Sequence, residues 1–427
     1  MTAEGVASAA TASDAALVRA VREENARIVA ALTRSFGSFD VAEEAVAVAV
    51  EEALREWRSR GVPRNPGGWL MTAARRNALD IVRTSRRRRD VLARVAVPQQ
   101  SSTTPDEVDE RLPLLFGCCH PSLSPEAQLA LTLRAVVGLT TEQIARATVE
   151  APATVGQRIS RAKRKIGVAG VPMVIPEGRE RRHRLDIVLT VISVMYDSAH
   201  LRAGADAVAD RDLAEDALWL ASALCRSSAA DAEAHGLLSL LCFHRAREGA
   251  RSRNGELVPL PAQDRSLWDR RLLQAGHDAL RHAAELRTPG RWQLHAAIAA
   301  CHADAPHYAA TDWEQIIVLY ELLMRRDPSP IVRLNRAVAL AEVGRAQEAL
   351  AELDALQGRL DRHHLWHAVR ADVLRRLGRD AEADSALERG RQLTRNRAER
   401  RLFATRLQEV RATNGAGAHD EGRRPTT

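Results

Sequence analysis

Residues 139–166 read LTTEQIARATVEAPATVGQRISRAKRKI, and their spacing governs how the rest of the chain is read. Thr140 stands where it can cap a short helix over 141–147, whose Ile144 and Ala145 face inward. A brief turn follows. Pro152 then opens a second helix, a position proline favours because the first-turn N–H has no intrahelical partner. Val155 and Ile159 are spaced i, i+4 and pack this helix back onto the first. The opposite face is expected to present Thr154, Gln157, Arg158, Arg161, Lys163, Arg164 and Lys165. This is the helix-turn-helix layout, in which the second helix enters the major groove. Gln and Arg there make bidentate contacts to base edges, and the later cations suit phosphates.

Helix is the expected state almost everywhere else, so the fold class reads as all-α. Ala, Leu, Arg and Glu dominate, and no alternating strand pattern stands out. A first helix is expected over 14–34. A second runs from an N-cap at Asp40, with Glu43 completing a capping box, to about 58. Gly61, Pro63, Pro66, Gly67 and Gly68 mark a loop over 60–68, and a third helix spans 69–89. The Gln/Ser/Thr/Pro tract within 91–109 reads as a flexible linker. Helical pattern resumes at 110 and breaks near Gly138; a second linker occupies 169–185, and an all-helical extension follows over 186–290.

A repeat lies in 291–411. Gly344-Arg345 and Gly378-Arg379 are 34 residues apart, as are Leu340 and Leu374. The same period links Ala303/Ala337/Ala371, Glu314/Glu348/Glu382 and Leu319/Leu353/Leu387. A 34-residue period in helical sequence is the tetratricopeptide signature, paired helices stacking into a solenoid. The tail, 412–427, is rich in Gly, Arg and Thr and is expected to be disordered.

The third helix is the second basic element. It carries Arg75, Arg76, Arg83, Arg86, Arg87, Arg88 and Arg89, opposed before Asp90 only by Asp80. Such a helix neutralises phosphates and releases counterions, which gives affinity without sequence preference. Trp57 and Trp69 flank the preceding loop in a chain only 4% aromatic. Trp57 reads as a core anchor. Trp69 fits a core position and a base-stacking position equally well.

Other chemistry finds little support. Cys118-Cys119-His120 lacks metal-finger spacing. His363, His364 and His367 include an i, i+4 pair, but not the H-E-x-x-H zinc helix. Neither a phosphate-cradling glycine loop nor a nucleophile elbow is present, so no enzyme activity, cofactor or metal is expected. Five cysteines without regular spacing suit a reducing cytosol better than a disulfide framework. No apolar run approaches the roughly 20 residues that cross a bilayer, and residues 1–12 do not look like a signal peptide. A cytoplasmic location is therefore expected, without a membrane partner.

Taken together, residues 14–167 resemble bacterial sigma factors of the extracytoplasmic-function type. The resemblance rests on FDVAEEAVAVAVEEAL (39–54), NPGGWLMTAARRNALDIVR (65–83) and the helix-turn-helix of 139–166. RLPLLFGCCHPSLSPEAQLALTLR (111–134) is similar to the start of region four in one subgroup, which carries a long C-terminal tetratricopeptide extension. The resemblance implies a region 2 over 14–90, for core docking and −10 recognition and melting, and a region 4 over 110–168 for −35 recognition. Asp40, Glu43 and Glu44 would dock the β′ clamp of core RNA polymerase, region 4 would meet the β flap, and promoter DNA would be the other partner. The loop before Trp69 would capture an unpaired −10 base. Trp69, Arg75, Arg76, Asn77, Arg83, Arg86 and Arg87 would contact the −10 region, with Gln157, Arg158 and Arg161 on the −35 face. The chain departs from the family pattern at Ala47 and Val48, and in the order Arg76-Asn77.

The function expected is promoter-specific initiation, with the repeats as a regulatory or protein-partner module. A one-component regulator, a helix-turn-helix reader with a repeat sensor and no polymerase docking, is the alternative. The formal charge of +7 bears on both. Residues 1–185 hold 28 Lys+Arg and 21 Asp+Glu, whereas 186–427 hold 34 of each, so the whole excess lies in the part expected to touch DNA.

Overall fold

Alanine sets how the first three helices meet. The computed structural model describes residues 3–89, 111–148, 150–200, 207–227, 231–253, 256–394 and 396–420, with backbone alone at several helix ends. It is all-α apart from one short strand pair. The chain divides into two compact units, Met1–Ala199 with Glu215–Ser227, and His200–Ala214 with Ser228–Thr427.

In the first unit, α1 (Ala3–Phe36), α2 (Phe39–Arg60) and α3 (Pro66–Arg89) pack side by side. Ala42, Ala45, Ala49 and Ala53 form a fully buried spine along α2, spaced three and four residues. Small side chains let neighbouring helices approach, while Leu17, Ile28, Leu32 and Leu70 fill the flanks. Trp57 is buried among them, as expected.

Two boundaries differ from the sequence reading. The N-cap of α2 is Ser38, whose hydroxyl accepts from Val41 N at 3.4 Å. Asp40 instead occupies the first turn, where its charge complements the helix dipole. Helix α3 begins at Pro66 rather than 69, because Asn65 Oδ1 accepts from Gly68 N at 2.9 Å and caps it. The Pro-Gly-Gly run that reads as a breaker is the first turn.

The unit continues through α4 (Arg111–Cys118), α5 (Pro125–Thr132), a π turn at Leu133–Val137, α6 (Thr141–Thr148), α7 (Pro152–Ala169) and α8 (Gly178–His200). Gly138 ends the π turn at φ +86°, in the left-handed region that favours glycine. A turn over 119–124 interrupts the helical run expected from 110 to 138; Ser124 then caps α5 by accepting from Ala127 N. Helix α1 packs against α4 and the π turn as well as against α2 and α3. Helix α9 (Ala207–Ser227) contributes Trp219 to this unit, its ring 3.4 Å beneath the Arg111 guanidinium. The linker expected at 91–109 falls outside the described residues, as do the Arg86 and Arg87 side chains and tail residues 421–427.

The second unit begins with α10 (Ala232–Ala246) and α11 (Arg270–Glu285). Between them β1 (Ser252–Arg253) pairs antiparallel with β2 (Glu256–Leu257), in register Ser252 with Leu257. This ribbon corrects the all-helical expectation for 186–290. Asn254-Gly255, between the two strands in sequence, is the strongest short hairpin signal. Glu233 of α10 caps α12 (Arg291–Asp304) from a distance, accepting from Trp292 N at 2.9 Å and Gln293 N at 3.1 Å.

Helices α13 (Trp313–Met324), α14 (Pro330–Glu342), α15 (Ala346–Leu360), α16 (His364–Arg376) and α17 (Asp380–Leu393) then pack in sequence. The 34-residue period is visible atom by atom. Gly344 and Gly378 end α14 and α16 at φ +81° and +71°. Arg345 N donates to Leu340 O and Arg379 N to Leu374 O, each at 2.9 Å. Arg345 forks onto Glu348 at 2.8 and 2.7 Å, and Arg379 onto Glu382 at 2.7 Å through both nitrogens. Ala337 and Ala371 are fully buried at the facing helices. The α12–α13 pair is a looser copy, joined by the longer segment 305–312. Helix α18 (Arg397–Asp420) runs past 412, where the sequence suggested that helix ends.

Two outcomes follow for this unit. Gly344→Ala or Gly378→Ala forces an L side chain into positive φ and should cost about 1–2 kcal/mol, read as a lower urea midpoint. Burial, with Arg247 and Arg265 nearby, pushes His302 down to about 4 from an ordinary 6.5. The unfolded chain then takes up a proton the folded one refuses, so stability should fall as pH drops from 6.5 towards 4. At about 1.4 kcal/mol per unit, this loss is on the order of 3 kcal/mol. Hydrogen exchange of α12 amides across this range checks it, and His302→Gln should flatten the response.

Candidate nucleic-acid interface

The α6–α7 pair is built locally. Thr140 Oγ1 accepts from Gln143 N at 3.2 Å, while Gln143 Oε1 accepts from Thr140 N at 2.8 Å. This reciprocal capping box starts α6. Ile144 and Ala145 of α6 and Val155, Ile159, Ala162 and Ile166 of α7 are buried. Gly156 lies where α7 nears α6: a Cβ there would sit 3.8 Å from the Thr141 methyl. Gly170, at φ +61°, closes α7 with Val171 N donating back to Ile166 O.

The outward face is narrower than the sequence implied. Thr154, Gln157, Arg161 and Arg164 are exposed and follow i, i+3, i+7, i+10, which is a single stripe. Arg158 stands at its edge, half-buried, with Nη1 2.6 Å from Glu150 Oε1. That hydrogen bond holds the Glu150 carboxyl below its ordinary value and Arg158 above its own. Lys165, exposed, donates to Ser122 O.

Lys163 corrects the sequence reading outright. It turns inward, with its side chain only 11% exposed, and pairs with Glu43 of α2; Asp40 Oδ1 lies 3.8 Å away. Glu43 also accepts from Arg134 Nε at 3.3 Å, and Arg134 Nη1 donates to Leu139 O at 3.2 Å. Lys163 follows Ile159 by four residues and Val155 by eight, so it stands on the buried stripe. That spacing is the signal that could have placed it.

Helix α3 presents a second cationic face. Thr72, Arg75, Arg76, Leu79 and Arg83 are exposed on one side. Arg76 pairs with Glu52 at 2.6 Å and Arg83 with Asp80 at 3.7 Å, whereas Arg75 has no partner among the described residues. Trp69 is half-buried and meets Trp57 edge-on at 5.6 Å, so its outer part alone reaches solvent. Asn77 does not share this face: it is buried, with Nδ2 unpartnered among the described residues. It lies on the stripe of Leu70, Ala73, Ala74 and Ala78, so it cannot touch DNA without moving α3. Glu44 is exposed beside the occupied Glu43.

Cys118 and Cys119 lie in the interior, where burial pushes both thiols up, Cys119 to about 12. His363 and His364 stack at 5.4 Å, and His364 Nε2 lies 3.1 Å from Glu399. His367 meets Asp361 O at 2.8 Å. Among the described residues, no three His, Cys, Asp or Glu side chains come together as a metal site.

Residues 114–166 match the family described as Sigma-70, region 4, and residues 184–284 match a family of unknown function (DUF6596). An uncharacterized protein of Rhizobium meliloti (strain 1021) is 36% identical over 405 residues, covering 92% of this chain and 95% of that protein. No solved structure matches. The helix-turn-helix thus lies within a sigma region 4, a module that engages promoter DNA and RNA polymerase.

Arg158 and Arg161 should separate by stability. Arg158→Ala strips Glu150 of its partner and should lower stability by about 1 kcal/mol, whereas Arg161→Ala should stay within about 0.5 kcal/mol of the parent. Thermal unfolding of the two variants checks this.

Proposed function

The chain belongs to the family of the Rhizobium meliloti protein, and from that premise we propose that it is a sigma factor of the extracytoplasmic-function type. It binds core RNA polymerase in the cytoplasm and directs initiation without catalysing a reaction itself. The observation that carries the proposal is the stripe of Thr154, Gln157, Arg161 and Arg164, exposed on the second helix of a region 4. A stripe of that composition supplies bidentate base contacts followed by phosphate contacts, as −35 recognition needs.

In the same reading, α1–α3 are region 2. The face of Arg75, Arg76 and Arg83 grips the −10 duplex, and Trp69 offers its outer edge to an unstacked base, whose stacking is worth about 1–3 kcal/mol. Asp40, Glu43 and Glu44 dock the β′ clamp, and region 4 meets the β flap. The duplicated Gly-Arg turns and buried alanines of α14–α17 support a tetratricopeptide-like module for a protein partner. No helix of the described residues is long and apolar enough to cross a membrane.

The chain should co-purify with core polymerase and support promoter-specific transcription in a reconstituted system. The double variant Gln157→Ala/Arg161→Ala should reduce initiation from a −35-dependent promoter at least ten-fold, since each lost bidentate pair is worth about 1–3 kcal/mol. Tight binding of duplex operator by a chain that never programs core enzyme would mark the one-component regulator instead.

A further inference from the structure

In this structure the −35 reading helix is fastened to the helix proposed to dock polymerase. Glu43 of α2 holds Lys163 of α7 and Arg134 of the π turn at once, with Asp40 beside Lys163. The contact is not confined to charges, because α1 also packs against α4 and the π turn. All of these elements belong to one compact unit.

Distance makes the arrangement incompatible with a promoter. Elements at −10 and −35 lie about 25 base pairs apart, or about 85 Å at 3.4 Å per pair. Helical rise is about 1.5 Å per residue. Every residue of α2 C-terminal to Glu43 is thus within about 26 Å of it, and every residue of α7 N-terminal to Lys163 within about 17 Å. Crossing from α2 to the adjacent α3 adds about 10 Å. With about 10 Å more for the step from Glu43 to Lys163, the two DNA-facing stripes are separated by at most roughly 65 Å along this path, well short of the promoter spacing.

We infer that this is a closed state, latched by Glu43 and Asp40 to Lys163 and Arg134, and that promoter engagement requires α7 to leave α2. The inference rests on the function proposed above. Opening frees the Glu43 carboxylate for the polymerase, which the closed chain does not offer. Core polymerase would draw the equilibrium open because it binds the Glu43 that the closed state uses internally, and promoter DNA because its two elements lie further apart than the closed state allows.

Paired spin labels test this on the full chain. With Cys225→Ser as background, labels go on the exposed positions of Ser59→Cys in α2 and Ser160→Cys in α7. The free chain should give one narrow distance distribution below roughly 50 Å. Glu43→Lys, which repels Lys163 and Arg134, should broaden and lengthen it. The charge swap Glu43→Lys/Lys163→Glu should restore much of the short population, which also shows that the single variant remains folded. Addition of core polymerase with promoter duplex should shift the parent to the long distance. The same distribution in parent and Glu43→Lys would overturn the latch. So would a transcribing complex whose labels stay at the closed distance, and that result would leave the sigma reading intact. A chain that is closed, opens with Glu43→Lys, and never programs core enzyme would instead sink the sigma reading while the latch stands.

Discussion

A half-buried ammonium needs a counter-charge, and Lys163 finds it in Glu43, 120 residues earlier in the chain. On that pair depends which face of α7 is available. Had Lys163 turned outward, the basic surface of α7 would wrap around much of the helix. With Lys163 held inside, the surface contracts to the stripe of Thr154, Gln157, Arg161 and Arg164. Removing one partner of a fully buried pair costs about 3–5 kcal/mol; this pair, with side chains 11% and 25% exposed, is partly solvated and stands below that range. The arrangement is therefore one the chain must keep or exchange for another partner. In the proposed complex a basic surface of polymerase would replace Lys163 for Glu43, and the Lys163 ammonium would return to solvent.

The second unit is built on a different constraint. Its helices are short and repeat every 34 residues, so each pair is stabilised by its neighbours. Two left-handed glycines and two forked Arg–Glu pairs recur at the same period and set the same turn twice. Residues 186–427, which include this unit, hold 34 Lys+Arg and 34 Asp+Glu, a balance that suits a surface made for protein rather than DNA.

Much of this was legible from residues alone. The helix-turn-helix is specified by local signals: a Thr-x-x-Gln capping box, a first-turn proline, and apolar positions three and four apart. All three act within a few residues, which is the range at which sequence reads directly. The repeat was legible for a similar reason, because only glycine fits comfortably at φ +81° and +71°. What sequence did not show was which partner meets a given polar side chain. Lys163 and Asn77 both stand on apolar stripes, yet their chemistry places them on a surface until a partner far along the chain is known. Arg158 is similar, since Glu150 reaches it only once the turn between α6 and α7 has formed. The start of α3 is obscured because Pro66, Gly67 and Gly68 read as breakers, and only the Asn65 side chain that accepts from Gly68 N turns them into a first turn.

The central claim is that one chain reads two promoter elements through two separate cationic faces. Footprinting tests it most directly, with permanganate to detect unpaired thymines, on promoter DNA with core polymerase and this chain. Two protected patches centred about 25 base pairs apart, with reactive thymines at the downstream patch only when both proteins are present, are the result this account predicts. A single protected patch over duplex DNA, unchanged by core polymerase and without reactive thymines, would contradict it.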